Sequence, residues 1–136
     1  MPPTFRSPFP AELPGPRTLL GVAVSAAVDE VRAVSIAVER SGLESRLRIA
    51  GHARRELPDG ATALYERLAR GGGHPAEIAV LAALLTEVQA AVVRDVAAPL
   101  SAAPLAVGVV DPGIWLDDAR ATGRVALSDP ARLAEA

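Results

Sequence analysis

Apolar positions alternate with polar ones in the first part of the chain and follow helical spacing in the middle. Residues 18–24, 31–39 and 46–54 form short apolar or alternating runs that are typical of strands. The link at residues 41–44 has turn-forming residues, and the connection around residues 25–30 is short. Because short connections join antiparallel neighbours, the pattern predicts a three-stranded antiparallel meander.

Helical spacing begins after the turn sequence Pro58-Asp59-Gly60. Residues 61–70 predict a first helix, which three successive glycines, 71–73, should end. A second helix should begin at Pro75, because proline suits the first helical position, and should break at Pro99. Its apolar side chains recur every three or four residues, as in a helix that faces a core: Ile78, Leu81, Leu85, Val88, Val92 and Val96.

A continuous apolar run, residues 105–110, ends at Asp111-Pro112-Gly113. Such a run predicts a strand that is buried on both faces and parallel to its neighbour. A small hairpin should follow, with Asp117 and Asp118 in its solvated loop, and Asp129 before Pro130 predicts the N-cap of a last helix. The order β-β-β-α-α-β therefore places the chain in the α/β class.

The 136 residues are sufficient for one domain. Residues 1–17 are rich in proline and have no apolar segment, so we interpret them as an extended lead-in and residues 18–136 as the domain. The apolar run at residues 78–85 is too short to span a bilayer, and no membrane partner is expected. With no cysteine there is no disulfide framework, and a cytoplasmic location is the default expectation.

Charge and aromatic content disfavour nucleic-acid binding. All 14 basic residues are arginine, but they are interspersed with acidic residues, the net charge is -2, and aromatic residues make up only 3% of the chain. The two histidines, His52 and His74, are far apart in sequence and predict a strand position and a loop before a helix, not a metal site.

The C-terminal third resembles a known family. Gly108, Trp115, Leu127 and the run Asp129-Pro130-x-x-Leu133-Ala134-Glu135 match a stretch of the anhydro-N-acetylmuramic acid kinases that reads roughly IGSHGQTVWH…LQIGDPALLAE. The family's polar residues are replaced: Val110 and Leu116 stand where it has histidines. The resemblance covers nearly all of residues 18–136. It implies a ribonuclease-H-like, or actin-like ATPase, half-domain with a three-strand meander, two helices, a parallel fourth strand and a small hairpin.

A second match implies a cofactor site. Residues 20–31 are similar, without gaps, to the family stretch IGLMSGTSLDGV, a first phosphate loop whose backbone amides approach the phosphates of ATP. The resemblance therefore implies that the cofactor, ATP with magnesium, would meet Ser25, Ala26, Ala27, Asp29 and Glu30.

These positions have lost most of the chemistry of a phosphate loop. Ala26 and Ala27 remove two hydroxyl donors, and Glu30 adds a negative charge where ATP would lie. Of the polar residues in the family's loop, only Asp29 is retained in this chain. It is either a vestigial contact of Mg·ATP or an aspartate that caps a turn.

Two further aspartates are candidate substrate-binding residues. Asp111 follows a strand end, where ligands of open α/β folds often bind, but an Asp-Pro-Gly turn is the simpler interpretation. Asp129 matches an aspartate of the family motif, and a helix N-cap is its alternative role.

The resemblance implies an ATP-dependent sugar kinase of amino-sugar metabolism and peptidoglycan recycling, but it covers only the opening portion of such a kinase. The family's catalytic base and second phosphate loop lie beyond it, so we expect the chain alone to be an inactive, kinase-like protein. Three alternatives remain open: a half that a complementing chain completes, a non-catalytic module that binds itself or a partner, and a remnant without function.

Overall fold

The computed structural model describes residues 17–41, 44–118 and 121–136. The predicted lead-in lies outside the described residues except for Arg17, which is the first residue of a strand. The elements follow in this order: β1 (Arg17–Val24), β2 (Glu30–Ser41), β3 (Glu44–Glu56), α1 (Ala61–Ala69), α2 (Pro75–Ala97), β4 (Ala106–Val110), β5 (Ile114–Asp118), β6 (Ala121–Val125) and α3 (Pro130–Ala134).

The main sheet has four strands in the order β3-β2-β1-β4. Strand β2 pairs antiparallel with both β1 and β3, and β4 pairs parallel with β1, so Leu19 lies beside Ala106 and Ala23 beside Val110. A register shift between Ser35 and Ile36 marks a bulge in the pairing of β2 with β3. Strands β5 and β6 form a separate antiparallel hairpin. The predicted meander, the parallel fourth strand and the α/β class are confirmed.

Helix α2 buries its apolar stripe against one face of the sheet. Leu81, Leu85 and Val92 are each 0% exposed, and they join Leu20 and Val31 of the strands in one hydrophobic cluster. Helix α2 also has the length and mean hydropathy, 1.8, of a segment that could cross a membrane, a test that core helices of soluble proteins also pass. Here the buried stripe is packed on the sheet, as the spacing predicted.

Local sequence explains where the helices begin and end. His74 is the N-cap of α2: its Nδ1 accepts from the Ala76 amide at 3.2 Å, and its own amide donates to the Glu77 carboxylate at 2.7 Å. Gly71 follows α1 with a φ of 79°, a left-handed conformation that glycine adopts without strain. The predicted roles of His74 and of the three glycines are therefore confirmed.

One bidentate ion pair fastens the far end of α2 to the sheet. The Arg55 guanidinium on β3 donates to both carboxylate oxygens of Asp95, at 2.6 and 3.0 Å. The hydrogen bond from Arg55 holds the pKa of Asp95 below its ordinary value.

The prediction that β4 is buried on both faces is wrong. Its side chains alternate between half-buried and exposed, and Val110 is 66% exposed. The reason is the position of β4, which is an edge strand of the four-stranded sheet. Helices α2 and α3 pack on the other face of the sheet, so they do not cover the exposed side chains of β4. Asp117 and Asp118 also differ from expectation, because they are the last residues of β5 and not part of the hairpin loop.

Removing the centre of the α2 stripe should destabilise the protein strongly. For Leu85→Ala we expect the free energy of unfolding to fall by about 2–5 kcal/mol, because the cavity lies where the side chain is 0% exposed. The measurement is urea unfolding followed by circular dichroism. Val80→Ala is the matched control: Val80 is on the same helix but 61% exposed, and its loss should change stability by less than about 0.5 kcal/mol. Equal losses for both variants would contradict the assigned helix face.

Candidate functional site

The turn between β1 and β2 is organised by the hydroxyl of Ser25. This Oγ accepts from the amides of Asp29 and Glu30, at 3.1 and 3.2 Å, and donates to Asp29 Oδ1 at 2.5 Å. The backbone closes the same turn, since the Ser25 amide donates to the Glu30 carbonyl and the Val28 amide to the Ser25 carbonyl, both at 2.9 Å. The Ser25 side chain therefore stabilises the turn, and Asp29 accepts the hydrogen bond of its hydroxyl.

Val28 gives the turn its shape at a cost in backbone strain. Its φ is 54°, which a β-branched residue rarely adopts. Its side chain is 0% exposed, and its carbonyl accepts from Thr62 Oγ1 of α1 at 3.1 Å. Burial and this hydrogen bond hold the residue in place, so the turn is fixed by the core beneath it.

The charge of Glu30 is compensated within the sheet. Its carboxylate accepts a hydrogen bond from Arg32, and Arg54 Nη1 lies 3.8 Å from its other oxygen. The repulsion between Glu30 and a phosphate that its sequence position suggested is therefore partly offset by two guanidinium groups.

Little of the turn remains to bind a ligand. The amides of Ala26 and Ala27 donate to no other group in the described part of the chain, and both residues are exposed. The side chains of these residues are methyl groups, which add no donor. Asp29, also exposed, keeps one carboxylate oxygen outside its bond to Ser25. Two outward amides and one carboxylate are fewer donors than a backbone cradle for a phosphate group provides.

Asp111 connects two distant loops. Its Oδ1 accepts from the Gly113 amide at 2.7 Å, and its Oδ2 accepts from the amides of Leu127 and Ser128 at 2.8 and 3.1 Å. Arg124 lies beside the same carboxylate and donates to the Asp111 carbonyl. Three backbone donors occupy both oxygens, as in a structural aspartate that caps a turn.

Gly113 is required at the same corner. Its φ is 60°, and a Cβ at this position would lie 2.5 Å from Arg124 Nε. Any side chain would therefore displace the arginine that contacts Asp111.

Asp129 caps α3, as the sequence predicted. Its Oδ1 accepts from the amides of Ala131 and Arg132, at 3.0 and 3.3 Å. Its own amide donates to Thr86 Oγ1 at 3.2 Å, and the neighbouring Ser128 hydroxyl accepts from Gln89 Nε2 at 2.9 Å. Thr86 and Gln89 were not predicted as contacts of this corner, although both are polar residues on the buried side of α2.

The structure places the Ser25 turn and the Asp111 loop at the same end of the sheet. Because β1 and β4 are parallel and Ala23 lies beside Val110, the Ser25 turn and the Asp111 loop both leave the sheet at the same end. Helix α1 contacts both loops: Thr62 binds the first through Val28, and the Tyr65 hydroxyl donates to the Gly113 carbonyl at 3.2 Å. Asp129 follows Ser128, whose amide donates to Asp111, and its own amide donates to Thr86 of α2.

The described residues contain no cluster of side chains of the kind that holds a metal ion. No group of three or more metal-ligating side chains occurs within residues 17–41, 44–118 and 121–136. An open pocket of about 290 Å³ lies between α2 and the end of the chain, lined by Glu87, Arg94, Arg132 and Glu135 among others, and it contains none of the predicted site residues. At the Ser25 turn the groups available to a ligand are the amides of Ala26 and Ala27, with the carboxylates of Asp29 and Glu30 beside them.

No protein-family model matches the chain, and no curated protein matches it either.

Removal of the Asp111 carboxylate should destabilise the fold. For Asp111→Ala we expect the free energy of unfolding to fall by about 2 kcal/mol or more, because three buried or half-buried amides lose a charged acceptor. The measurement is urea unfolding. Asp59→Ala is the control: Asp59 is exposed, and its side chain has no hydrogen bond to other described residues. If the Asp111→Ala protein were as stable as the parent, the structural role of Asp111 would be contradicted, and Asp111 would again be a candidate ligand-binding residue.

Proposed function

We propose that this chain is a ribonuclease-H-like half-domain of the anhydro-N-acetylmuramic acid kinase type, without phosphotransferase activity of its own. In that role it derives from the nucleotide-binding half of an ATP-dependent sugar kinase of amino-sugar metabolism and peptidoglycan recycling. A cytoplasmic location belongs to the same proposal.

The sheet topology is the observation that carries this proposal. An antiparallel meander, a helical crossover and a fourth strand parallel to the first give the order β3-β2-β1-β4, which is the arrangement that the resemblance implied. The two segments that carry the resemblance are residues 20–31 and 107–135. The turn in the first and the loop in the second lie at the same end of the sheet. The topology and the sequence resemblance therefore support the proposal on the same residues, although fold alone does not establish a function.

The chemistry of the turn supports the absence of catalysis. Phosphoryl transfer needs a phosphate cradle, a metal and a residue that orients the attacking hydroxyl, all converging in one cleft. The Ser25 turn offers two amides and Asp29, and Asp111 and Asp129 use their carboxylates on backbone amides. Mg·ATP and an anhydro-amino sugar would be bound and turned over only with a complementing chain that supplies the remaining groups.

A matched pair of proteins tests the phosphate-loop assignment. We expect millimolar Mg·ATP to leave the thermal midpoint of the parent chain unchanged and to raise that of the double variant Ala26→Thr/Ala27→Ser, which restores two hydroxyl donors on exposed positions. A ligand at a hundredfold excess over its dissociation constant stabilises by about 2.7 kcal/mol, which a melt resolves easily. Adding Asp29→Asn to the double variant should abolish the shift.

Two results would count against the proposal. Phosphorylation of 1,6-anhydro-N-acetylmuramic acid by the pure parent chain would show that the isolated half-domain is active. No shift in either protein would remove the support for the Ser25 turn as a former phosphate loop.

A further inference from the structure

The first half of β3 is an edge that no described element covers. Strand β3 lies at the border of the sheet, so β2 is its one neighbour among the described strands. Its second half is fastened to the rest of the domain, because Ala53 packs against the core and Arg55 binds Asp95 of α2. The side chains of residues 45–49 are all exposed, although they alternate between the two faces of the sheet. We refer to residues 45–49 as the free edge.

The backbone of the free edge has groups that bind nothing in the described part of the chain. In an antiparallel pair, alternate residues direct their amide and carbonyl towards the neighbouring strand, and the residues between them direct theirs away from it. Outside the pairing with β2, no hydrogen bond joins residues 45–49 to another described residue. An outward row of amides and carbonyls is a template on which an extended peptide adds a further strand.

The side chains of the free edge divide by chemistry between the two faces of the sheet. Arg46 and Arg48 lie on the face that carries α2, because Arg48 pairs with Ala37, which is buried. Leu47 and Ile49 lie on the opposite face and are 68% and 69% exposed. A strand added beside the free edge would therefore meet two cations on one face and two branched apolar side chains on the other.

Arg46 and Arg48 have no acidic neighbour on their outer side. Glu39 of β2 lies opposite Arg46, and Glu44 lies two residues before it along β3. Neither acid forms an ion pair with these arginines within the described part of the chain. Between Glu44 and Glu56, the two ends of β3, every charged side chain is an arginine. The interior of this strand is therefore cationic, although the whole chain has a net charge of -2.

We propose that an extended segment of a partner protein, in which acidic and apolar side chains alternate, pairs with the free edge as a fifth strand of the main sheet. Its carboxylates lie opposite Arg46 and Arg48, and its apolar side chains lie opposite Leu47 and Ile49, because residues directly across two strands share a face. Main-chain hydrogen bonds give affinity in this mode of recognition, and the alternating side chains give specificity.

The charges of β3 disfavour a second copy of this chain as the added strand. Antiparallel pairing of two β3 strands along their full length would place Arg46 opposite Arg54 and Glu44 opposite Glu56. Like charges directly opposite each other destabilise a strand pair, whereas a carboxylate opposite each arginine stabilises it. Charge complementarity therefore selects an acidic strand as the occupant.

The inference goes beyond the proposed function and does not depend on it. The free edge lies at the end of β3 that pairs with the last residues of β2, whereas the Ser25 turn precedes the first residues of β2. A failure of Mg·ATP binding and a failure of strand addition are therefore separate results.

Fluorescence anisotropy of a labelled synthetic peptide, titrated with the full chain, tests the inference. The probe is an eight-residue peptide in which glutamate and valine alternate, and we expect it to bind saturably below millimolar concentration. A peptide of the same composition, with all its glutamates before its valines, has the same charge without the alternation and should bind at least tenfold more weakly. Hydrogen exchange of the amides in residues 45–49 should slow when the alternating peptide binds, because the added strand pairs with the outward amides.

The double variant Arg46→Glu/Arg48→Glu tests the location of the site. We expect binding of the glutamate–valine peptide to weaken about tenfold or more, because two opposite-charge pairs become like-charge pairs, and a lysine–valine peptide to bind instead. Both side chains are exposed, so the circular dichroism spectrum should not change. Arg94→Glu/Arg132→Glu is the matched control: it changes the net charge equally, at exposed positions on α2 and α3, and should bind like the parent.

Four results would overturn the inference. The first is a parent chain that does not bind the alternating peptide, and the second is equal binding of the two glutamate–valine peptides, which would show attraction by charge alone. The third is undiminished binding by Arg46→Glu/Arg48→Glu. The fourth is a mass above 14.0 kDa for the parent chain in sedimentation equilibrium that the peptide returns to the monomer value, which would assign the free edge to a second copy.

Discussion

The one-sided packing of α2 on the four-stranded sheet is the constraint on which the other features depend. Leu81, Leu85 and Val92 lose all contact with solvent on this face, and α1 and α3 pack against the flanks of the same helix. With both flanking helices on that side, the loops at the ends of β1 and β4 receive their support from α1, through Thr62 and Tyr65. None of the described helices covers the opposite face of the sheet, where Leu47 and Ile49 are exposed.

This asymmetry separates two surfaces with different chemistry. The edge where the Ser25 turn meets the Asp111 loop is polar, and its hydrogen-bonding groups are mostly used to hold the loops themselves. The sheet face opposite α2 presents exposed apolar side chains, among them Leu47 and Ile49, together with the arginines Arg32 and Arg54. A phosphate loop needs unsatisfied donors, and an association surface needs unsatisfied apolar area. The Ser25 turn offers two outward amides, and the sheet face opposite α2 exposes Leu47, Ile49 and Val110.

Regular local patterns made much of the fold predictable. Pro75 and Pro99 bracket α2, and the Asp-Pro pair at residues 129–130 specifies a helix N-cap, since each effect acts within one helical turn. The burial of β4 was not predictable in this way. A continuous apolar run shows that a strand could be buried on both faces. It does not show whether a second layer of helices or strands is present to cover the second face.

The candidate site was predictable in location and less so in role. The turn at Ser25 to Glu30 and the Asp111 corner were both located from sequence, and a serine followed four residues later by aspartate could have indicated the hydrogen-bonded turn. The bonds from Leu127 and Ser128 to Asp111 span more than fifteen positions, so no local pattern reveals them.

Paramagnetic NMR of methyl groups, with a soluble gadolinium chelate, tests the one-sided sheet most directly. We expect strong relaxation of the Leu47 and Ile49 methyls, which are exposed, and protection of the Leu85 methyls, which are buried under α2. Protection of the Ile49 methyls would contradict the one-sided packing, because the second face of the sheet would then be covered.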